Sequence, residues 1–104
     1  MANVFQMAVG AVRGIFTKTP GAAQYFADSK NWQGVKSSNL ASVSYFLSVQ
    51  KNVPSVLAIR FKDASEYHYS GVRLGVYSSL MASSSKGKFC HREVYPVYPT
   101  TRVK

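Results

Sequence analysis

The stretch from Phe61 to Val72, FKDASEYHYSGV, constrains the fold more than any other part of the chain. It reads as strand, turn and strand. Side chains alternate along a strand, so Tyr67 and Tyr69 share one face while Glu66, His68 and Ser70 take the other. Two registers compete against the preceding strand, Val56 to Phe61. A two-residue turn at Asp63-Ala64 would set Glu66 and His68 beside Phe61 and Ile59, mixing polar with apolar side chains. A three-residue loop, Lys62-Asp63-Ala64, aligns Ile59 with Tyr67, Leu57 with Tyr69 and Arg60 with Glu66. The second register is predicted because it yields one apolar face. It requires Ala64 to adopt the left-handed conformation, at roughly 1–2 kcal/mol.

The remaining pattern extends this hairpin. Ala41 to Phe46 reads as a first strand, Leu47 to Ser55 as a loop around Asn52 and Pro54, and Glu66 to Tyr69 as the third strand. Val72, Val76, Tyr77, Leu80 and Met81 have helical spacing and should cover the apolar face. Ser83-Ser84-Ser85 ends that helix, and one of these serines is expected to cap a second helix over Lys86 to Glu93. Tyr95-Pro96 and Tyr98-Pro99 force an extended tail. At the other end, Val4, Ala8, Val12 and Phe16 form a helical stripe with Asn3 as its N-cap. Gly10 and Gly14 weaken that helix by roughly 1 kcal/mol each. Lys18-Thr19-Pro20-Gly21 interrupts it; a short helix over Ala22 to Lys30 and a connector through Trp32 and Gly34 follow. The expected class is α+β: a three-stranded antiparallel meander sheet packed by C-terminal helices, with an extra N-terminal helix. Residues 1–35 form the helical extension and 36–104 the α+β domain.

Charge narrows the function. Thirteen Lys and Arg oppose only Asp28, Asp63, Glu66 and Glu93, for a formal charge of +9. Such an excess favours a polyanionic partner. Cys90 is the only cysteine, which excludes an intramolecular disulfide and a zinc-finger or haem-attachment spacing. Met1 to Val12 carries no charged side chain, so the basic start of a secretory signal is missing. The apolar first sixteen residues are too short and too rich in glycine to span a bilayer. A cytoplasmic chain without membrane association is expected.

Catalytic and cofactor chemistry finds little to work with. Cys90 and His91 are neighbours on a helix and point about 100° apart, which does not make a nucleophile–base dyad. Two histidines and one cysteine are too few for structural zinc, and Ser85-Lys86-Gly87-Lys88 is too short for a P-loop. A thiol enzyme built on Cys90 is the least favoured reading, and no metal or cofactor is expected. The strongest patch is C-terminal. Lys86, Lys88, Arg92 and Arg102 interleave with Phe89, His91, Tyr95 and Tyr98, so cations can meet phosphates while rings stack on unpaired bases. Arg60 and His68, with Ser42 and Ser44, mark the opposite sheet face as a secondary contact surface unless an N-terminal helix covers it. The leading expectation is therefore a non-enzymatic, sequence-tolerant module for RNA or single-stranded DNA. The alternative is a protein-interaction or assembly component, or a homo-oligomer, docking through Val4 to Phe16.

These residues also resemble a known family. Ser37-Ser38-Asn39-Leu40 leading into the first strand, the central Tyr67-His68-Tyr69, the helix Val72 to Ala82, Ser85-Lys86-Gly87-Lys88-Phe89 and Tyr98-Pro99 with Val103 follow the order of the KTSC domain. The similarity runs from Ser37 to Val103. That domain occurs at the C-terminus of some lysyl-tRNA synthetases and alone in bacterial and phage proteins. The resemblance implies a small α+β fold and RNA binding, with no enzymatic activity to carry over. It also admits a phage virion or host-targeting protein, placed in the virion or the host cytoplasm. Four positions depart from the pattern: Ala64 stands in place of glycine, Arg73 in place of proline, and Cys90-His91 in place of Phe-Asn.

Overall fold

Apolar side chains recur at alternate positions through three consecutive segments, and these pair as a meander. The computed structural model describes residues 21–104; the helix expected over Asn3 to Phe16 lies outside them. Helix α1 spans Ala22–Ala27 and is followed by a 3-10 turn, Ser29–Asn31. Strands β1 (Gln33–Gly34), β2 (Leu40–Phe46), β3 (Val56–Phe61) and β4 (Glu66–Ser70) come next, then helices α2 (Leu74–Ala82) and α3 (Lys86–Glu93) and strand β5 (Thr100–Arg102). The strands lie in the order β1-β2-β3-β4-β5, all neighbours antiparallel.

The hairpin register follows the apolar alignment. Leu57 pairs with Tyr69, Ile59 with Tyr67, and Arg60 with Glu66. Ala64 adopts a φ of 74°, and the loop closes with Ala64 N–H donating to Phe61 O at 3.0 Å. Asp63 Oδ1 accepts from both the backbone N–H and the hydroxyl of Ser65. These bonds hold the carboxyl below its ordinary value, the Ser65 hydroxyl being the larger cause.

The sheet has five strands where three were expected. Both additions are short edge strands whose side chains are all exposed, so neither carries the apolar alternation that marks a strand in sequence. Backbone pairing recruits them: Gln33 and Gly34 face Val43 and Ser42, and Thr100–Arg102 faces Tyr67–Tyr69. The tail is extended only from Pro99, where Ser70 N–H donates to Pro99 O at 3.0 Å to bring it alongside β4. Tyr95-Pro96, expected to be extended too, lies in a turn that continues α3: Val97 N–H and Tyr98 N–H both donate to Val94 O at 3.2 Å, and Pro96, which has no N–H, interrupts no bond there. The serine cap is also different in detail. Ser85 is the N-cap residue of α3, but its side chain makes no capping bond; Ser83 Oγ instead donates to Ser85 O and accepts from Ser85 N–H.

Helices α2 and α3 cover one sheet face and close the core. Leu40, Val43, Leu57, Ile59, Val72, Leu80, Cys90 and Val94 are fully buried there. Tyr45 reaches through this layer to donate to Val72 O at 2.6 Å, so its one polar atom is satisfied in the interior. The opposite face is covered too. The covering element is α1 and the turn after it: Phe26 is 3 % exposed, and its ring centroid lies 4.8 Å from that of His68. Trp32 Nε1–H donates to Phe26 O at 2.8 Å, and Ser44 Oγ–H donates to Asn31 O at 2.7 Å. No helix among the described residues is long and apolar enough to cross a membrane.

Candidate functional site

The covered face holds an ion cluster. Glu66 is buried, with a side-chain exposure of 6 %. It accepts from Arg60 Nε at 2.9 Å through Oε1 and lies 2.7 Å from His68 Nε2 through Oε2. Lys104 Nζ stands 3.8 Å away. Burial pushes the Glu66 carboxyl up, but the bonds and charges of Arg60 and His68 outweigh it and hold the group below its ordinary value. Arg60 also stacks on Trp32, with 3.8 Å from its guanidinium carbon to the ring centroid. Thus Arg60 and His68, nominated as secondary contacts, sit in an intramolecular network beneath Phe26 and Trp32.

The C-terminal residues come together along the opposite layer. A row of ring contacts runs across it. Arg102 lies 5.7 Å from the Tyr67 ring, Tyr67 meets Phe61 at 5.6 Å, Phe61 meets Tyr95 at 6.3 Å, and Tyr95 meets His91 at 4.9 Å. Tyr95 also stacks on Tyr69 at 5.7 Å. Tyr95 and Tyr98 are both half-buried and pack against the core, so each anchors the tail. Arg92 is exposed and bonds Glu93 through Nε at 2.9 Å, while Arg102 Nε donates to Lys104 O at 2.8 Å.

Lys86 and Lys88 reach a different feature, a cleft of about 320 Å³ between the start of α3 and the loop before β2. Lys36, Ser37 and Ser38 line its other wall, and His91 also contributes; none of the lining residues is acidic. Sequence reasoning did not select Lys36 or the two serines as site residues. Their signal is visible afterwards: Lys36-Ser37-Ser38 and Ser84-Ser85-Lys86-Gly87-Lys88 are two short runs of serine and lysine. Only the packing of α3 against the start of β2 sets them face to face. Ser37 holds that wall in place, its Oγ accepting from Asn39 N–H and Leu40 N–H at 3.2 Å each.

All four acids of the chain are engaged locally. Asp28 accepts from Lys30 N–H, Asp63 from Ser65, Glu66 from Arg60 and Glu93 from Arg92. The cleft lysines therefore share their walls with no carboxylate. Cys90 is fully buried, and its thiol is pushed up to about 11 by burial, against a smaller lowering by a hydrogen bond with Tyr95. It is neither accessible nor a thiolate near neutral pH. Among the described residues, no group of three or more His, Cys, Asp or Glu could hold a metal ion.

The family profile of the KTSC domain matches residues 36–98. The chain belongs to the KTSC domain family. The matched span runs from Lys36 on the cleft wall to Tyr98 at the start of the tail. A crystal structure of a KTSC domain protein from Yersinia pestis is similar in fold, with a TM-score of 0.60 and 23 % identity. The likeness covers 70 % of this chain and 96 % of that one. Comparison with curated proteins finds no match.

Proposed function

We propose that this KTSC domain is a non-enzymatic nucleic-acid-binding module that takes RNA or single-stranded DNA without strong sequence preference. One observation carries the reading: every carboxylate is engaged by a local partner, while Lys36, Lys86 and Lys88 line an acid-free cleft. An uncompensated cationic surface gains affinity by releasing counterions from phosphates. Lys86, Lys88 and Arg92 on α3, with Arg102 on β5, would supply phosphate contacts. The exposed edges of Tyr95 and Tyr98 would offer limited stacking. Arg60 and His68 contribute through the long-range field rather than by contact, because Glu66 and the Phe26–Trp32 cover hold them.

The test is a fluorescence-anisotropy titration against single-stranded RNA, single-stranded DNA and duplex DNA, all with 5′-hydroxyl ends, at several salt concentrations. Saturable binding with a log–log salt slope of several units is expected, and Lys88→Ala should reduce that slope by about one. Absence of binding at low salt would refute the reading.

A further inference from the structure

The cleft carries more than a share of a diffuse basic surface. We propose that it is a binding site for a phosphate monoester, held as the dianion between the Lys36–Asn39 wall and the first turn of α3. Three features of its walls point there. Three lysines and no carboxylate surround about 320 Å³ of open space, room for a phosphate and the group esterified to it. A monoester carries about −1.5 to −2 charge near neutral pH, against −1 for a backbone diester, so this concentration of lysines favours the monoester.

The donor chemistry agrees. Ser37 Oγ already accepts two backbone N–H groups. A hydroxyl has two acceptor positions and one donor, so what Ser37 has left to offer is its proton. A negatively charged oxygen is the partner that suits it. Lys86 Nζ gives one of its three donors to Ser83 O at 3.0 Å, which steadies the side chain and leaves two for a ligand. Gly87 stands at the junction of the two walls. A Cβ added there would lie 3.9 Å from Ser37 Oγ, an ordinary contact. Side chains longer than alanine would therefore extend towards Ser37 and occupy the cleft without disturbing the backbone.

The ligand class has two sources, the 5′-terminal phosphate of a strand and a free phosphorylated small molecule. This site goes beyond the backbone-contact reading above, and the two can fail separately. The first arm of the test records amide NMR spectra of the full chain near neutral pH and at constant ionic strength, with methyl phosphate or dimethyl phosphate added. Methyl phosphate should shift Ser38, Gly87 and Lys88 saturably, and dimethyl phosphate should bind roughly tenfold more weakly. Gly87→Ala should keep binding, and Gly87→Glu should lose it while the unfolding midpoint is retained. Lys36→Ala, on the other wall and exposed, should weaken binding by several-fold and serves if Gly87→Glu does not fold. Unsaturable shifts, equal affinity for the two esters, or full binding by Lys36→Ala would overturn the proposal.

The second arm compares 5′-phosphorylated with 5′-hydroxyl oligonucleotides by anisotropy. A gain from the 5′-phosphate that Lys36→Ala removes identifies the strand end as the source. Equal strand affinities alongside saturable methyl phosphate binding identify the free small ligand. If no strand binds while methyl phosphate saturates, the nucleic-acid reading falls and the monoester site stands.

Discussion

Arg60 is held between Trp32 and Glu66: its guanidinium carbon lies 3.8 Å from the indole centroid, and its Nε donates to Glu66 Oε1 at 2.9 Å. The stack ties the segment before β1 to the centre of the sheet. A cation over the face of tryptophan gains about 0.5–2 kcal/mol, more as water is excluded. The same side chain neutralises the buried carboxylate. One arginine therefore joins the cover, the sheet and the ion cluster.

Glu66→Gln should cost about 2 kcal/mol at neutral pH, read from urea unfolding. This is less than the 3–5 kcal/mol of a fully buried pair, because the Arg60 side chain is 36 % exposed and stays hydrated. The pH dependence has a definite sign. The folded Glu66 carboxyl lies below its ordinary value of 4.5, so the unfolded chain takes up the proton first. The stabilisation is complete above that ordinary value and is lost as pH falls through the lower, folded one. Asp63 shifts in the same direction. Stability should thus fall below about pH 5; Glu66→Gln should flatten part of the slope, and a second change, Asp63→Asn, more of it. An unchanged slope in Glu66→Gln would show that the cluster does not contribute.

Phe26→Ala should destabilise the domain by about 3 kcal/mol, the range for a buried aromatic ring. Phe26 is 3 % exposed against His68 and Trp32. If α1 were an incidental appendage, the loss would stay below about 1 kcal/mol, the ordinary effect of a surface change. Chemical denaturation followed by Trp32 fluorescence separates the two results.

Ala64→Gly should stabilise. Ala64 sits at φ 74° and is exposed, so no packing is lost. Relief of the left-handed strain, offset by the greater freedom of glycine in the unfolded chain, leaves about 0.5–1 kcal/mol. For a domain of this size that is a rise in Tm of about 2–8 °C. A lower Tm in a thermal scan would contradict the turn geometry.

Cys90 should resist thiol reagents in the folded protein. A fully buried thiol pushed up to about 11 offers little thiolate near pH 8 and no approach to it. Modification by a disulfide reagent should be slower than that of an unfolded control by about two orders of magnitude. It should accelerate in step with unfolding as urea is added. Rapid labelling of the folded chain would place the sulfur at the surface.

The hairpin was legible because its information is local. The alternation of Leu57, Ile59, Tyr67 and Tyr69 leaves one register with an apolar face, and the strain at Ala64 follows from loop length alone. Helices α2 and α3 were legible for a similar reason, since helical spacing and a serine break are short-range signals. Strands β1 and β5 were not. Their exposed side chains carry no period, and they exist because β2 and β4 present unpaired backbone groups at the sheet edges.

The candidate site divides along the same line. Sequence composition established the excess of positive charge, and the α3 segment alone placed Lys86 and Lys88 within one turn. Neither could show which cations stay free of carboxylates, since that depends on which side chains meet across the fold. The hairpin register already set Arg60 opposite Glu66, with His68 on the same face; packing added the Phe26 cover, and it brought Lys36 and Ser37 against the start of α3. Local pattern fixes the elements because neighbouring residues share one backbone geometry. The cleft joins residues some fifty positions apart, and only burial of the core that α3 shares with the sheet brings those distant segments into contact.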